Sequence, residues 1–214
     1  MARDHGRQIS FAVGANLRCS RSMAKVVVIA GPNGAGKSTT APAVLRDALA
    51  VHEFVNADTI AAGLSAFSPD TVAVSAGRIM LQRVAELARL GRDFAFETTL
   101  ASRTFAPWLR RLQGDGYSFH LVYLWLPSAD LAVARVAERV RRGGHAVSEQ
   151  IVRRRYERSL GNFFSLYSVF ADSWVMVDNS VRGRSRAVAE GAMGRQTEVL
   201  DAEIWSAMRV RYGQ

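Results

Sequence analysis

Apolar positions along the chain fall into two rhythms. Val26-Val27-Val28-Ile29 is an unbroken β-branched run, which marks a strand buried on both faces. The segments from Glu53 to Ala57, Asp93 to Glu97, Tyr117 to Leu126 and Trp174 to Val177 read as further strands. Between them apolar residues recur every three or four positions, the period of a helix with one buried face. This pattern predicts helices at about 37–49, 69–90, 102–114 and 128–142, and helical segments over about 148–170. Strands alternating with helices predict an α/β fold, a parallel sheet flanked by crossover helices in three layers. Ser128 and Ser148 are expected N-caps, each followed by an acid in the first turn. Phe163, Phe164, Tyr167 and Phe170 share helical spacing and read as core. The tail from Arg186 to Leu200 suggests a hairpin turning near Gly191 to Gly194, with a short helix from Ala202 to Met208. Met1 to Ser22 is polar and aperiodic. It is expected to form a loosely ordered arm ahead of a single domain over 23–214.

Composition narrows the class. The chain has 214 residues, 49% hydrophobic and 22% charged, enough for one well-filled core and unlike a disordered or collagen-like sequence. Cys19 is the only cysteine, so no internal disulfide forms, and no Cys and His set has zinc-ligand spacing. A reducing cytoplasm is the expected setting. No apolar run approaches the roughly 20 residues of a membrane span, so no membrane partner is expected. The net charge of +9, from 28 basic and 19 acidic residues, suits a polyanionic partner such as nucleic acid. Only Lys25 and Lys37 among the basic residues are lysine, which makes Lys37 the more informative.

Lys37 lies in Gly31-Pro-Asn-Gly-Ala-Gly-Lys-Ser38, a match to G-x-x-x-x-G-K-[ST] placed between a buried strand and a helix, as a phosphate-binding P-loop requires. Glycine freedom lets successive backbone N–H groups converge on phosphate oxygens, and the helix N-terminus adds partial positive charge. Gly31, Asn33, Gly34, Ala35, Gly36, Lys37, Ser38 and Thr39 are the expected nucleotide-binding set. Lys37 would reach the β- and γ-phosphates of ATP, and Ser38 would ligate Mg²⁺.

The acids decide what receives the phosphoryl group. Asp58 ends the second strand in Phe54-Val55-Asn56-Ala57-Asp58, and the carboxyl ends of strands in an open parallel sheet border the ligand crevice. It can act as a general base toward an attacking hydroxyl, or cap the helix expected from Thr59. Glu97, also at a strand end, can hold Mg²⁺ or bind substrate hydroxyls beside Thr98 and Thr99, or cap the following helix. No strand ends in the Asp-Glu pair of a motor-type ATPase. Arg135, Arg139 and Arg142 share one helix face before Gly143-Gly144-His145, and Arg153, Arg154, Arg155 and Arg158 crowd the next helix. Pairs such as Glu138 with Arg142 and Glu149 with Arg153 would balance part of this charge. The like-charged pairs Arg135–Arg139 and Arg154–Arg158 would gain from an anion between them, as under a lid closing on a triphosphate. His145 could touch phosphate or base, and Asp178-Asn179-Ser180, at the end of the last main strand, reads either as a plain turn or, by resemblance to a family of P-loop kinases with such a loop in this region, as an adenine-contacting loop.

These pieces in this order resemble the zeta-toxin family of P-loop kinases. The matching series is Gly31 to Thr39, Phe54-Val55-Asn56-Ala57-Asp58, Phe96-Glu97-Thr98-Thr99-Leu100, Arg142-Gly143-Gly144-His145, Arg154-Arg155-Tyr156 and Asp178-Asn179-Ser180. The resemblance implies an adenylate-kinase-like sheet with an Arg-rich helical lid, ATP and Mg²⁺, and transfer of the γ-phosphate to a hydroxyl. Similar toxins phosphorylate UDP-N-acetylglucosamine and are covered by an antitoxin protein. Position by position, Lys37 would hold phosphates, Asp58 would be the base, Glu97 would sit near metal or substrate, and Arg139, Arg142 and Arg154 would clamp ATP. Toxin-type members carry Gly-Thr-Leu-Arg after the acid. Here Thr98-Thr99-Leu100-Ala101 stands in its place, so the substrate-binding arginine that the resemblance implies is missing, and Arg103 is the nearest candidate for its role. The expected activity is a small-molecule kinase acting on a nucleotide sugar or a related hydroxyl compound. Two alternatives are a nucleoside or polynucleotide 5′-hydroxyl kinase and a nucleotide-dependent binding or regulatory ATPase.

Overall fold

In the computed structural model residues 23–66, 68–144 and 146–213 are described; the expected arm over 1–22 and His145 lie outside them. The chain runs β1 (Lys25–Ala30), α1 (Lys37–Pro42), β2 (Glu53–Val55), α2 (Ala57–Leu64), α3 (Ala73–Arg89), β3 (Phe94–Thr98), α4 (Phe105–Gly114), β4 (Ser118–Trp125), α5 (Ala129–Arg141), α6 (Glu149–Asn162), α7 (Ser168–Phe170), β5 (Ser173–Val181), β6 (Arg184–Ala192), β7 (Glu198–Val199) and α8 (Ala202–Tyr212). Among the described residues seven strands form one sheet in the order β2-β3-β1-β4-β5-β6-β7. β1 to β5 pair in parallel, and β6 and β7 add antiparallel strands at one edge. The expected mixed α/β fold is present.

β1 lies between β3 and β4, with Ile29 opposite Glu97 and Val122. Its apolar run is fully buried, which accounts for the absence of polar alternation. The chain leaves β1 toward β3 on one side and reaches β4 on the other, so the loop after β1 opens at a reversal of strand order, where α/β sheets bind ligands. Phe105 and Trp108 of α4 pack against Phe94 and Phe96. Phe163 packs against Tyr123 and Trp174, and the Trp174 ring stacks on Trp205 of α8. Phe163, Tyr167 and Phe170 are buried as expected. Truncating Phe96 to alanine in this core would cost about 3–5 kcal/mol.

Three expected elements take a different form. The helix from Lys37 changes to a π-helical turn at Ala43–Ala48, directly after Pro42, which lacks an N–H and crowds the preceding carbonyl. The helix expected over about 69–90 begins as a 3-10 turn at Pro69–Val72 and becomes α-helical only at Ala73. The strand expected to stop at Val177 continues to Val181 and folds back as the hairpin β5–β6 across Arg182-Gly183. Polarity concealed this continuation. Asp178 accepts from the Ser180 N–H and pairs with Arg186, and Asn179 donates to the Ala35 carbonyl, so these groups stay in the sheet with partners. The tail hairpin then turns beyond Ala192, near the expected glycines, and α8 follows it.

Candidate active site

The P-loop conformation rests on its glycines. Gly31 has φ +140°, and a Cβ there would lie 2.3 Å from the Leu124 carbonyl oxygen; Gly36 has φ +80°, with Asn179 Nδ2 2.8 Å from the equivalent point. No other residue fits both the conformation and the space. Lys37 is 7% exposed, and its Nζ donates to the Gly31 and Pro32 carbonyls, each at 3.0 Å. It also lies 3.7 Å from Glu97 Oε1. Burial pushes the Lys37 ammonium below its usual pKa of 10.5, and the Glu97 carboxylate opposes that shift. Asp58 opposes the shift as well, and the buried cation is suited to receive further negative charge.

Ser38 Oγ donates to Glu97 Oε2 at 2.7 Å. The first turn of α1 and the end of β3 therefore bring a hydroxyl and a carboxylate into contact, a hard oxygen pair that fits Mg²⁺. Asn56 Nδ2 donates to the same Glu97 oxygen at 2.7 Å and to Ser38 Oγ at 3.3 Å. Its Oδ1 accepts the N–H groups of Asp58 and Thr59. Glu97 lies within β3 and caps no helix.

Asp58 is likewise not a cap. β2 ends at Val55, Asn56 caps α2, and Asp58 stands in the first helical turn. Its carboxylate is 61% exposed and lies 3.7 Å from Arg139 Nη1. The sequence reading displaced the cap by two residues, although Asn56 is a strong N-cap type immediately after the strand.

α5 presents Arg135 and Arg139, and Arg142 stands at its C-cap. Its N-cap is Ser128, as expected, whereas Ser148 occupies the cap position of α6 without a side-chain hydrogen bond to the helix. Arg139 and Arg142 line a cavity of about 1260 Å³ together with Gly34, Gly36, Lys37 and Ser38. Glu138 pairs with Arg142, as the spacing suggests, and also with Arg182 of the β5–β6 turn. Arg135 borders the cavity, but it donates to the carbonyls of Asn179 (2.9 Å) and Ser180 (2.6 Å) and so fastens α5 to β5. Arg182, Arg184 and Ser185 also border the cavity; they come from the hairpin that the sequence reading did not resolve.

On the other side of Glu97, Thr98 Oγ1 accepts the Leu100 N–H, the Thr99 carbonyl accepts Ser159 Oγ, and Arg103 donates to Asn162 Oδ1. Asn162 also holds the Leu100 carbonyl. Leu100, at φ +59°, adopts a left-handed conformation that costs a non-glycine residue roughly 1–2 kcal/mol. Thr98 and Asn162 hold that turn in place. Arg154 is exposed on α6 and does not line the cavity. Arg153 pairs with Glu149 as expected, and with Asp130. Among the described residues no cluster of three His, Cys, Asp or Glu could hold a metal ion, and no helix is long and apolar enough to cross a membrane.

A family model described as an AAA domain matches residues 26–163, well over half of the chain. An uncharacterised protein of Haemophilus influenzae is 31% identical over 134 residues, covering 62% of this chain and 92% of that protein. The crystal structure of the AvrRxo1-ORF1:-ORF2 complex with ATP contains a chain similar at TM-score 0.66 and 14% identity, covering 87% of this chain and 63% of that one. This chain thus spans under two thirds of that neighbour. The PezAT chromosomal toxin-antitoxin system of Streptococcus pneumoniae gives a TM-score of 0.59 at 12% identity, with 93% and 90% covered. A chain of the Pnkp1/Rnl/Hen1 RNA repair complex gives 0.53 at 17% identity, with 65% and 45% covered. At these identities the likeness is one of fold. The matched span contains the P-loop, Asn56, Asp58, Glu97, Arg135, Arg139, Arg142 and Arg154, and the chain belongs to the AAA-domain family.

Proposed function

We propose that the protein is an ATP-dependent phosphotransferase that moves the γ-phosphate to a hydroxyl of a small molecule, a nucleotide sugar such as UDP-N-acetylglucosamine. The observation that carries this reading is the position of Asp58. With Asn56 capping α2, the Asp58 carboxylate has no capping duty and is largely exposed beside Arg139. A nucleotide-dependent binding module has no use for such a base.

In this mechanism Lys37 and the P-loop N–H groups hold the β- and γ-phosphates. Asp58 accepts the proton of the acceptor hydroxyl as its oxygen bonds to the γ-phosphorus and the bridging bond to the β-phosphate breaks, leaving ADP. Arg139 and Arg142 balance the charge that develops on the transferring group. Ser38 and Glu97 would hold Mg²⁺, which when bound neutralises phosphate charge. Thr98, Thr99 and Arg103 would orient the acceptor. Arg154 belongs to this set only if α6 moves toward the nucleotide.

The single cysteine supports a cytoplasmic setting. A protein antitoxin is the proposed macromolecular partner, supported by the fold shared with a chain of the PezAT toxin-antitoxin system. A second reading, a polynucleotide 5′-hydroxyl kinase, is favoured by the +9 charge and by the fold shared with a chain of an RNA repair complex. Incubation with γ-labelled ATP and a panel of UDP-sugars, nucleosides and 5′-hydroxyl oligonucleotides separates the two. Label on a UDP-sugar alone is the expected result. Label on oligonucleotides selects the second reading, and release to water alone overturns both.

A further inference from the structure

We propose that Asn56 is a positioning residue that couples the phosphate side of the site to the acceptor side; this rests on the phosphotransferase reading above. Asn56 is buried between β2 and α2 and uses its whole amide. Oδ1 accepts from the backbone N–H of Asp58 at 2.7 Å and of Thr59 at 3.2 Å. Nδ2 donates to Glu97 Oε2 at 2.7 Å and to Ser38 Oγ at 3.3 Å. The orientation is fixed by chemistry. A flipped amide would set its NH₂ against two backbone N–H groups and its oxygen against a carboxylate.

The consequence is a short rigid path. Ser38 stands on the P-loop helix and Glu97 on β3, while Asp58 stands in the first turn of α2. One side chain joins all three, so a displacement of Ser38 or Glu97 as phosphates arrive is passed to the backbone that aims Asp58. Asparagine suits both tasks. Serine caps a helix well but is too short to reach Glu97, and aspartate caps equally well but turns a carboxylate toward the carboxylate of Glu97. Asn56→Ser and Asn56→Asp therefore keep the cap and break the link.

Hydrogen exchange at the Asp58 and Thr59 amides tests the coupling, with adenylyl imidodiphosphate and Mg²⁺ as the probe. Calorimetry on the same samples reports nucleotide binding, and thermal melting reports folding. In the wild type, binding should slow exchange at these two amides by about tenfold. In both variants the protein should remain folded and bind the probe within about threefold of wild type, with the response at the two amides lost. Once an acceptor is in hand, the rate of transfer should fall by about tenfold or more at unchanged KM for ATP. A purely structural cap would leave the variants responding like wild type, and that result overturns the proposal, as does a wild type that binds the probe with no change at the two amides. A wild type that binds no nucleotide instead overturns the phosphotransferase reading itself, a separate outcome visible in the calorimetry.

Discussion

At the scale of single residues, the site concentrates charge that burial makes costly. Lys37 is buried, and burial disfavours its charged form. Lys37→Ala should therefore reduce phosphoryl transfer by roughly two orders of magnitude or more, while removing a cation that folding had to desolvate. Kinetics paired with thermal melting check this, the expected outcome being lost turnover without loss of the cooperative transition. Asp58 calls for a subtler substitution. Asp58→Asn keeps shape and polarity but cannot take a proton, and Asn56 supplies the cap in either case. Transfer should fall by about 10²–10⁴-fold, with ATP affinity nearly unchanged. Near-normal turnover would move the base elsewhere, with Glu97 the first residue to test.

At the scale of elements, α5 and the β5–β6 hairpin together line one side of the cavity. Arg135 fastens α5 to β5 through two backbone carbonyls, so it is an anchor. Arg139, further along the helix, and Arg142, its C-cap, line the cavity and pair with Asp58 and Glu138 respectively. These are partly exposed pairs, each worth at most about 1 kcal/mol, and an arriving triphosphate can displace them. Arg139→Ala should lower single-turnover transfer by about 10²-fold or more with little change in stability. Arg135→Ala should cost stability first, since it leaves two strand carbonyls without their donor. Hydrogen exchange over 139–144 should slow when a non-hydrolysable ATP analogue binds. Equal protection in both states, with a normal rate for Arg139→Ala, would reduce the arginines to a solvated face.

At the scale of the whole molecule, stability should carry an acid-sensitive component from His120. This ring is buried on β4, with Ser173 Oγ 2.8 Å from Nδ1 and Ser118 Oγ 3.0 Å from Nε2. Burial pushes its pKa below the ordinary 6.5, and nearby Asp172 opposes that. A group lowered in this way binds more protons in the unfolded chain than in the folded one. Its contribution is complete above 6.5 and is lost as pH falls from 6.5 through the lowered folded value. Urea midpoints measured from pH 8 to pH 5 should fall for the wild type and fall less for His120→Gln, which cannot titrate. Parallel slopes would assign the acid sensitivity to other groups.

Local chemistry carried much of this protein. The β-branched run of β1 specifies a buried central strand wherever it is placed, and the glycine pattern after it specifies a phosphate loop, because both follow from covalent geometry within a few residues. Asp58 and Glu97 were legible for the same reason, as acids beside strand ends. What the sequence left open depended on partners distant along the chain. The sequence reads α2 from Thr59 with Asp58 as its cap, whereas in the fold the helix begins at Ala57 and Asn56 caps it, its amide nitrogen held by Glu97 and Ser38 from two other elements. Arg135 shares a helix face with Arg139, yet the carbonyls of Asn179 and Ser180 claim it. Asp178-Asn179-Ser180 reads as a turn until Ala35, 144 residues earlier than Asn179, supplies a carbonyl that keeps the segment in the sheet. A polar side chain is committed by whichever complementary group the tertiary structure brings within hydrogen-bonding distance, and sequence spacing alone does not contain that distance.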